Sequence, residues 1–300
     1  MQRMIRLPYQ VETLSLSTKN TMLENNVNAY LIIADGKALL IDAGFPESAL
    51  DISQHVINAK LQLQGIYLTH FHPDHSLGAQ QIAKSFQVKI HCHPHDLAPL
   101  ITLYEQYFPN TDTHEVIADL IDGLEIPFAG TIFNVLHIPG HTHGHIAIFD
   151  KTHGNLFIGD HVIPDGTVWI GPPDGHLSDY LDSLDRLLLL PATMLYPGHG
   201  EPLSTPHTLM TRIKQRRLDR EADILAYLRA GEVTLATLVD RIYRGKIPTE
   251  ILWAAKKTVT AHLQKLLFEQ QITLRFAPSD HQFYYTEAVT NSHLADEEND

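Results

Sequence analysis

Short apolar runs of strand length recur through the first two-thirds of the chain, and four of them lead directly into histidine or aspartate. QGIYLTH opens the HxHxDH stretch at residues 70–75, and three later runs lead into His141, Asp160 and His199. In layered α/β folds the strand ends on one side converge, and sites are built on the loops there. We therefore predict a layered α/β domain in which these side chains meet at one edge.

Two hairpins and two helices surround these strand ends. NAYLIIADGKALLIDAG holds two apolar runs around Asp35-Gly36, a dipeptide suited to a tight turn, and HIAIFDKTHGNLFIGD predicts a second hairpin. Helical spacing of apolar residues predicts helices over residues 76–86 and 179–190. VKIHCH is predicted to be a further strand.

After about residue 210 the pattern changes to amphipathic helices. Three helical faces, one of them preceded by Thr234 as an N-cap, are followed by ITLRF and HQFYY around a Pro-Ser-Asp turn. This order predicts a small winged-helix-like domain over residues 211–287, after a main domain at residues 1–210. Residues 288–300 are acidic and poor in apolar side chains, which predicts a disordered tail.

Composition indicates the size of the core and the compartment in which the protein is expected. The chain has 300 residues, of which 44% are hydrophobic, enough for a sizeable core. A single cysteine, Cys92, rules out an internal disulfide framework and fits a reducing compartment. No apolar stretch has the length of an export signal or a membrane span, so we expect a cytoplasmic protein that does not enter a membrane.

The net charge of −13 is unevenly distributed. Residues 1–210 carry 9 Lys and Arg against 22 Asp and Glu, whereas residues 211–275 carry 13 against 7. The negative main domain disfavours nonspecific nucleic-acid binding, and the basic segment leaves a local patch open. We interpret the basic charges first as a solvated helical surface. Docking on the acidic domain is favoured over nucleic-acid binding for this module.

The recurring residues suit metal ions. Imidazole and carboxylate ligands without thiolate fit zinc, and also iron or manganese. Seven ligand-type residues from four strand ends can supply two ions. They are His70, His72, Asp74, His75, His141, Asp160 and His199.

Together these motifs resemble the metal signature of the metallo-β-lactamase superfamily, over about residues 20–205. TVWIGPPDG, YLDSLDRLLLL and YPGHGEP resemble its lactamase-β-like 2 branch, which carries a C-terminal winged helix. PGHTHGH is similar to the corresponding segment of glyoxalase II-type thioesterases. The gap between Asp160 and His199 is too short for the β-CASP insertion of RNA-processing nucleases in this superfamily.

The resemblance implies an α/β fold of the αββα four-layer metallo-β-lactamase type, with two divalent metal ions per chain, zinc being expected. A first ion would be bound by His70, His72 and His141. A second would be bound by Asp74, His75 and His199, with Asp160 bridging the two. Such a pair holds a bridging hydroxide, and Asp74 is expected to orient it as the catalytic carboxylate.

Further residues are expected to support the site. Asp42 is predicted to accept a hydrogen bond that fixes a ligand imidazole, and His145 to contact the ligands from behind. The candidate substrate contacts are His161, Trp169, His176 and Tyr180. The IHCHPHD stretch is expected to serve loop and supporting roles rather than to bind an accessory metal, and Cys92 to be a small buried hydrophobe.

The favoured function is a dinuclear metal-dependent hydrolase of a small ester-like substrate, with a thioester as the expected class. The main alternative is a metal-dependent phosphodiesterase or endoribonuclease that grips nucleic acid with its basic helices. An iron-dependent persulfide dioxygenase and a DNA-binding regulator without activity are less favoured. Substrate identity, native metal and oligomeric state stay open at this level.

Overall fold

The computed structural model describes residues 7–17, 26–109, 114–164, 166 and 168–288. The chain divides into two compact units, a larger one of residues 1–168 and 174–213 and a smaller one of residues 169–173 and 214–300. The domain limits expected from the sequence stay predictions. The expected acidic tail lies, apart from Ala288, outside the described residues.

The first sheet of the larger unit has six strands in the order β1-β2-β3-β4-β5-β6. They are β1 (Gln10–Leu16), β2 (Val27–Ala34), β3 (Lys37–Ile41), β4 (Gln62–Tyr67), β5 (Ile90–His91) and β6 (Val116–Ile117). The first three strands are antiparallel, and β3 to β6 run parallel. Asp35 and Gly36 join β2 to β3 with φ angles of 49° and 73°, as a tight hairpin turn with two left-handed residues requires.

The second sheet has five strands in the order β11-β10-β9-β8-β7. They are β7 (Glu125–Phe128), β8 (Thr131–His137), β9 (Ile146–Asp150), β10 (Asn155–Gly159) and β11 (Met194–Pro197). Only the pairing of β10 with β11 is parallel, since the others are joined as a meander. The carboxyl ends of β10 and β11 therefore lie side by side, which brings the segments after Gly159 and Pro197 together.

In the part of the chain that the structure describes, six helices precede the winged-helix strands, and the chain passes from the larger to the smaller unit within the sixth. They are α1 (Ser48–Asn58), α2 (Pro73–Ser76), α3 (Ala79–Phe86), α4 (Pro94–Tyr107), α5 (Leu177–Leu188) and α6 (Pro206–Arg229). The single helix predicted over residues 76–86 is wrong in detail, because Gly78 interrupts it. The Gly78 backbone N–H donates to the Gly44 carbonyl, in the loop after β3, at 2.8 Å, and a Cβ at Gly78 would lie 2.2 Å from the Ala43 carbonyl oxygen, so only glycine fits against that loop.

The strand predicted for VKIHCH is also shorter than expected. The strand covers only Ile90–His91, because His93 already adopts the N-cap position of α4 and Pro94 begins that helix. Proline is well tolerated in the first turn of a helix, where its missing N–H has no partner to lose.

The core of the larger unit separates into layers. On one face of the first sheet, Leu31 and Leu40 pack in a cluster with Ile52 of α1 and Ile82 of α3. On its other face, a separate buried cluster joins β2 and β3 to β8, β9 and β10 of the second sheet. The apolar side of α5 is buried as well. The arrangement is an αββα sandwich, as the sequence predicted, and strands buried on both faces explain the unbroken apolar runs.

The smaller unit is a winged helix. It contains β12 (Val233–Thr234), α7 (Leu235–Tyr243), a short 3₁₀ helix (Thr249–Ile251), α8 (Leu252–Phe268), β13 (Ile272–Ala277) and β14 (Gln282–Glu287). Its sheet has the order β12-β14-β13. The Thr234 hydroxyl caps α7 by accepting a hydrogen bond from the Thr237 backbone N–H at 3.2 Å. Among all described residues, no helix is both long and apolar enough to cross a bilayer.

A buried carboxylate ties the N-terminal strand region to the second sheet. Asp150 is fully buried and accepts hydrogen bonds from the Tyr9 hydroxyl at 2.6 Å, from the Thr131 hydroxyl at 3.2 Å and from the Thr152 backbone N–H at 2.9 Å. His153 Nδ1 lies 2.5 Å from Asp150 Oδ2, the oxygen that also accepts from the Tyr9 hydroxyl. Burial alone would raise the pKa of Asp150, but the Tyr9 and His153 bonds outweigh it and hold the pKa below its usual value.

Asp150→Asn is expected to destabilise the protein at neutral pH by about 1–3 kcal/mol, since donors that faced a carboxylate lose an acceptor. A carboxyl with a depressed folded pKa stabilises the fold above its unfolded pKa, about 3.9, and loses this contribution as pH falls through the folded value. The difference in the free energy of unfolding between Asp150→Asn and wild type should therefore become smaller at acidic pH. Urea denaturation at several pH values measures it, with the turn variant Asp35→Asn as control. A difference independent of pH would contradict the assignment.

Candidate metal centre

Asp42, the residue after β3, organises the floor of the site. It is buried and has φ of 58°, a left-handed backbone rare for a residue other than glycine. Its carboxylate accepts hydrogen bonds from the Thr69 backbone N–H and hydroxyl, both at 2.8 Å, and from His75 Nδ1 at 2.9 Å. The ends of β3 and β4 and one ring of the HxHxDH stretch are thus fixed to each other.

The short helix α2 determines where the HxHxDH side chains lie. His72 precedes it in an extended conformation (φ −56°, ψ 149°) and Pro73 begins it. Asp74 and His75 then fall in its single turn, with His75 fully buried and Asp74 partly exposed. The sequence spacing therefore projects neighbouring residues in different directions from one strand end.

Three histidines form the first cluster. The ligand atoms of His70, His72 and His141 all lie within 4.8 Å of one another. His141 Nε2 is 2.9 Å from His72 Nδ1, and the His70 ring centroid is 4.9 Å from that of His141. His141 arrives from the loop between β8 and β9, so two separate segments of the chain supply this cluster.

Two carboxylates and two imidazoles form the second cluster. The ligand atoms of Asp74, His75, Asp160 and His199 lie within 4.8 Å of one another. His199 Nε2 is 3.3 Å from Asp74 Oδ2 and 3.3 Å from Asp160 Oδ2. His75 Nε2 is 3.3 Å from Asp160 Oδ1. The parallel pairing of β10 with β11 is what brings Asp160 and His199 side by side.

Asp160 reaches both clusters. Its Oδ2 atom lies 3.3 Å from His199 Nε2 in the second cluster and 3.9 Å from His141 Nε2 in the first. All seven candidate ligands from the sequence therefore meet at one edge of the sandwich, with one carboxylate between the two groups.

The charges of these groups balance one another. Burial alone would lower the pKa of His75, but the carboxylates of Asp160 and Asp74 hold it well above its usual value. The same competition, with Asp160 as the main carboxylate, raises the pKa of His199 to about 10. Burial and neighbouring imidazoles, His75 first, lower the pKa of His70. A divalent cation would neutralise the carboxylates in place of the protons on His75 and His199.

The buried polar atoms fit bound metal ions. Within the described part of the chain, buried His70 Nε2 has no hydrogen-bond partner, and buried His75 Nε2 and Asp160 Oδ1 face each other at 3.3 Å without forming a hydrogen bond. Leaving a buried polar group unpaired costs about 1–3 kcal/mol. Since these atoms belong to the two clusters, and imidazole with carboxylate is a ligand set for zinc, iron or manganese, the residues present fit such ions.

Residues behind the ligands hold them in place. His145 is fully buried, stacks on His70 at 4.9 Å, and its Nε2 accepts a hydrogen bond from the Asp160 backbone N–H at 3.2 Å. Asp96 of α4 accepts hydrogen bonds from the Thr142 hydroxyl at 3.0 Å and the Gly144 backbone N–H at 2.8 Å. Asp96 thereby anchors the loop that carries His141.

Sequence reasoning missed both Asp96 and Asp174. Asp174 Oδ2 lies 3.6 Å from His72 Nε2, beside the first cluster. Asp96 is the last residue of the histidine-rich IHCHPHD stretch, and Asp174 follows the Gly-Pro-Pro segment. No local signal marks either carboxylate as a partner of a distant histidine loop.

The four candidate substrate contacts have different surroundings. His161 and Tyr180 are fully buried against each other, with ring centroids 4.5 Å apart, and the Tyr180 hydroxyl donates to the His161 carbonyl at 2.8 Å. Complete burial indicates a packing role and leaves no surface for a substrate. His176 is partly exposed beside Asp179. Trp169 belongs to the smaller unit, where Lys257 Nζ lies 4.6 Å from its ring centroid.

Family models match both parts of the chain. The metallo-β-lactamase superfamily matches residues 23–199, and the β-lactamase-associated winged helix domain matches residues 234–273. The chain belongs to the metallo-β-lactamase superfamily, which confirms the resemblance and the fold class predicted from the motifs.

Three relatives show the range of the similarity. A β-lactamase-like protein 2 homologue from Drosophila melanogaster is 27% identical over 88% of this chain and 90% of its own length. A hydroxyacylglutathione hydrolase from Aeromonas salmonicida is 35% identical over 58% of this chain and 61% of its own. An atrochrysone carboxyl ACP thioesterase from Aspergillus novofumigatus is 26% identical over 73% of this chain and 66% of its own. With the family model, they identify a hydrolase of this superfamily.

Solved structures share the fold. A metallo-β-lactamase family protein from Thermus thermophilus aligns with a TM-score of 0.72 at 23% identity, over 92% of this chain and 98% of its own. A second protein, solved in a di-iron-bound form, aligns with a TM-score of 0.52 at 27% identity, over 67% of this chain and 98% of its own. The superfamily typically binds two metal ions, and the identity of the metal in this chain is a separate question.

Asp42→Asn tests the support of the second cluster. Asparagine offers one acceptor oxygen to the three donors that converge on Asp42, so we expect metal affinity to fall about 10–100-fold. Competition with a chromophoric zinc chelator measures it. Asp119→Asn is a matched control, because Asp119 also faces a histidine Nδ1, that of His91 at 2.9 Å, outside both clusters. Equal affinities in wild type and Asp42→Asn would contradict the role given to Asp42.

Proposed function

We propose that this protein is a dinuclear metal-dependent hydrolase that cleaves a small thioester substrate. The observation that carries the proposal is the pair of clusters joined by Asp160, whose Oδ2 lies 3.3 Å from His199 Nε2 and 3.9 Å from His141 Nε2. Two ligand groups this close suit two metal ions about 3.5–4 Å apart.

Each cluster would hold one ion. His70, His72 and His141 would bind the first, and Asp74, His75 and His199 the second, with Asp160 shared. When bound, two divalent ions lower the pKa of a water molecule and polarise the bond that is to be cleaved. We expect zinc, and the di-iron-bound neighbour supports iron as the alternative.

Asp74 is the proposed catalytic carboxylate. Its side chain is 27% exposed, whereas that of His75 beside it is fully buried, so Asp74 is the member of this pair that reaches the open side of the site. Burial opposes ionisation, but His75 and His199 hold the pKa of Asp74 below its usual value. An ionised carboxylate at this position accepts a hydrogen bond from the attacking water and orients it.

The same charges favour a leaving group that needs no proton. Neighbouring imidazoles hold the pKa values of Asp74 and Asp160 below the usual range without metal, and bound cations would keep both carboxylates ionised and the ligating imidazoles neutral, so none of these groups would be a good proton donor. A thiol has a pKa near 8.5, so a thiolate departs unprotonated far more readily than an alkoxide. The relatives named as hydroxyacylglutathione hydrolase and ACP thioesterase support the same class of substrate.

The proposed activity is tested with untagged protein reconstituted separately with zinc, manganese or, without oxygen, iron. We expect two tightly held ions per chain by elemental analysis, and hydrolysis of acyl-glutathione and acyl-carrier-protein thioesters in preference to oxyesters of the same acyl groups. Faster cleavage of phosphodiesters than of thioesters would replace the proposal with the nuclease alternative. Only trace metal after reconstitution would overturn the dinuclear centre.

Asp74→Asn is expected to lower kcat about 10²–10⁴-fold, because asparagine cannot accept the proton or bind an ion as a carboxylate does. Circular dichroism checks that the variant is folded. Metal content, measured in parallel, shows whether activity falls because an ion is no longer bound or because the catalytic carboxylate is missing. Cys92→Ser is the control: Cys92 is buried, and burial raises the pKa of its thiol to about 12, which leaves it protonated and unreactive. Loss of turnover in Cys92→Ser would require a thiol mechanism instead.

A further inference from the structure

A third histidine cluster lies outside the seven candidate ligands. The ligand atoms of His93, His95 and His137 all lie within 4.8 Å of one another. His93 caps the start of α4, His95 follows in its first turn, and His137 is the last residue of β8. From the sequence, IHCHPHD is expected to serve loop and supporting roles rather than to bind an accessory metal, because strand alternation separates its ligand-type residues and Pro94 ends the strand. The fold supplies the third histidine, His137, from another element.

The three rings differ in exposure. His93 is buried, His137 is half-buried, and His95 is exposed. The rings of His93 and His137 stack at 4.0 Å with an interplanar angle of 10°, and the His95 ring stands at 77° to both. The cluster therefore has a closed back and an open side through which an ion and water can enter.

Metal binding by this cluster requires neutral imidazole rings, each with a nitrogen lone pair directed at the ion. Burial first, and then the neighbouring imidazoles of His137 and His95, lower the pKa of His93 to about 4. The neutral imidazole is the form that ligates metal ions. His137 Nε2 donates to the His143 carbonyl at 2.9 Å, which leaves Nδ1 of that ring as its lone-pair nitrogen.

The geometry indicates moderate affinity. Nitrogens bound tetrahedrally at 2.0–2.1 Å lie about 3.3 Å from each other, so the cluster must contract on binding. The exposed His95 side chain can move, but the stacked His93 and His137 rings have parallel lone pairs, so one of these two rings must also rotate before both can bind the same ion. His93 Nδ1 accepts a hydrogen bond from the His95 backbone N–H at 3.1 Å, and an ion at either nitrogen of that ring requires this bond to be lost, since a ring that ligates through Nε2 carries its proton on Nδ1.

We propose that His93, His95 and His137 form a separate mononuclear site for a divalent ion that prefers imidazole, zinc above all, with water completing its coordination. The site joins the start of α4 to the end of β8. Both elements hold the loop that carries His141: Asp96 bonds Thr142 and Gly144, and His137 bonds the His143 carbonyl. An ion here links the two supports of that loop without entering the catalytic centre.

The test is equilibrium dialysis of untagged protein against a series of free zinc concentrations, followed by elemental analysis of wild type, His95→Ala, His137→Ala and the control His281→Asn. His281 is an exposed histidine on the wing, and asparagine tolerates its left-handed backbone. We expect wild type and His281→Asn to bind one more zinc ion per chain than His95→Ala and His137→Ala at micromolar free zinc. The seven ligands of the main centre are intact in every variant.

The test compares the zinc content of the variants with that of wild type. Its outcome therefore does not depend on whether the main centre binds metal as proposed. Equal zinc content in wild type and His95→Ala at every concentration would overturn the site. Loss of the same ion in His281→Asn would also overturn it, since that result would mean nonspecific binding to surface histidines. Should His137→Ala unfold, the exposed His95→Ala variant decides alone.

Discussion

The whole centre depends on one buried carboxylate, that of Asp42. It receives three hydrogen bonds of 2.8–2.9 Å from Thr69 and His75, and its own backbone N–H donates to the Tyr67 carbonyl at 3.0 Å. A buried charge is costly unless it is fully hydrogen-bonded, so this arrangement is stable only when the ends of β3 and β4 and the turn of α2 are all in place. The fold and the site thus require the same contacts.

The backbone around the ligands is equally restricted. A Cβ at Gly198, in the PGHG motif before His199, would lie 2.2 Å from Asp160 Oδ1. Gly140, in the PGH motif before His141, has φ of 135°, and its Cβ would lie 2.4 Å from the Tyr180 Cα. Both glycines are needed because other parts of the site pass within contact distance of the backbone. The short motifs around the ligands are therefore packing requirements as much as chemical ones.

Two histidine-containing regions of the larger unit follow different electrostatic rules. In the main centre the imidazoles face carboxylates, which raise the pKa of His199 to about 10. In the His93 cluster the neighbours are other imidazoles, and the pKa of His93 falls to about 4. Carboxylates give the main centre the stronger attraction for divalent ions, whereas the neutral rings offer ligation without charge neutralisation. The expected order of affinity follows from this difference.

The sequence by itself determined the seven candidate ligands, the β2–β3 hairpin and the winged helix, because ligand types after strand ends, an Asp-Gly turn and helical periodicity are all local signals. It did not determine that Gly78 divides a helix, that Tyr180 is buried, or that Asp96 anchors the His141 loop. Those outcomes depend on which distant segments approach one another. Tertiary structure alone placed His137 beside His93 and His95, since nothing near a strand end records which helix start will lie against it.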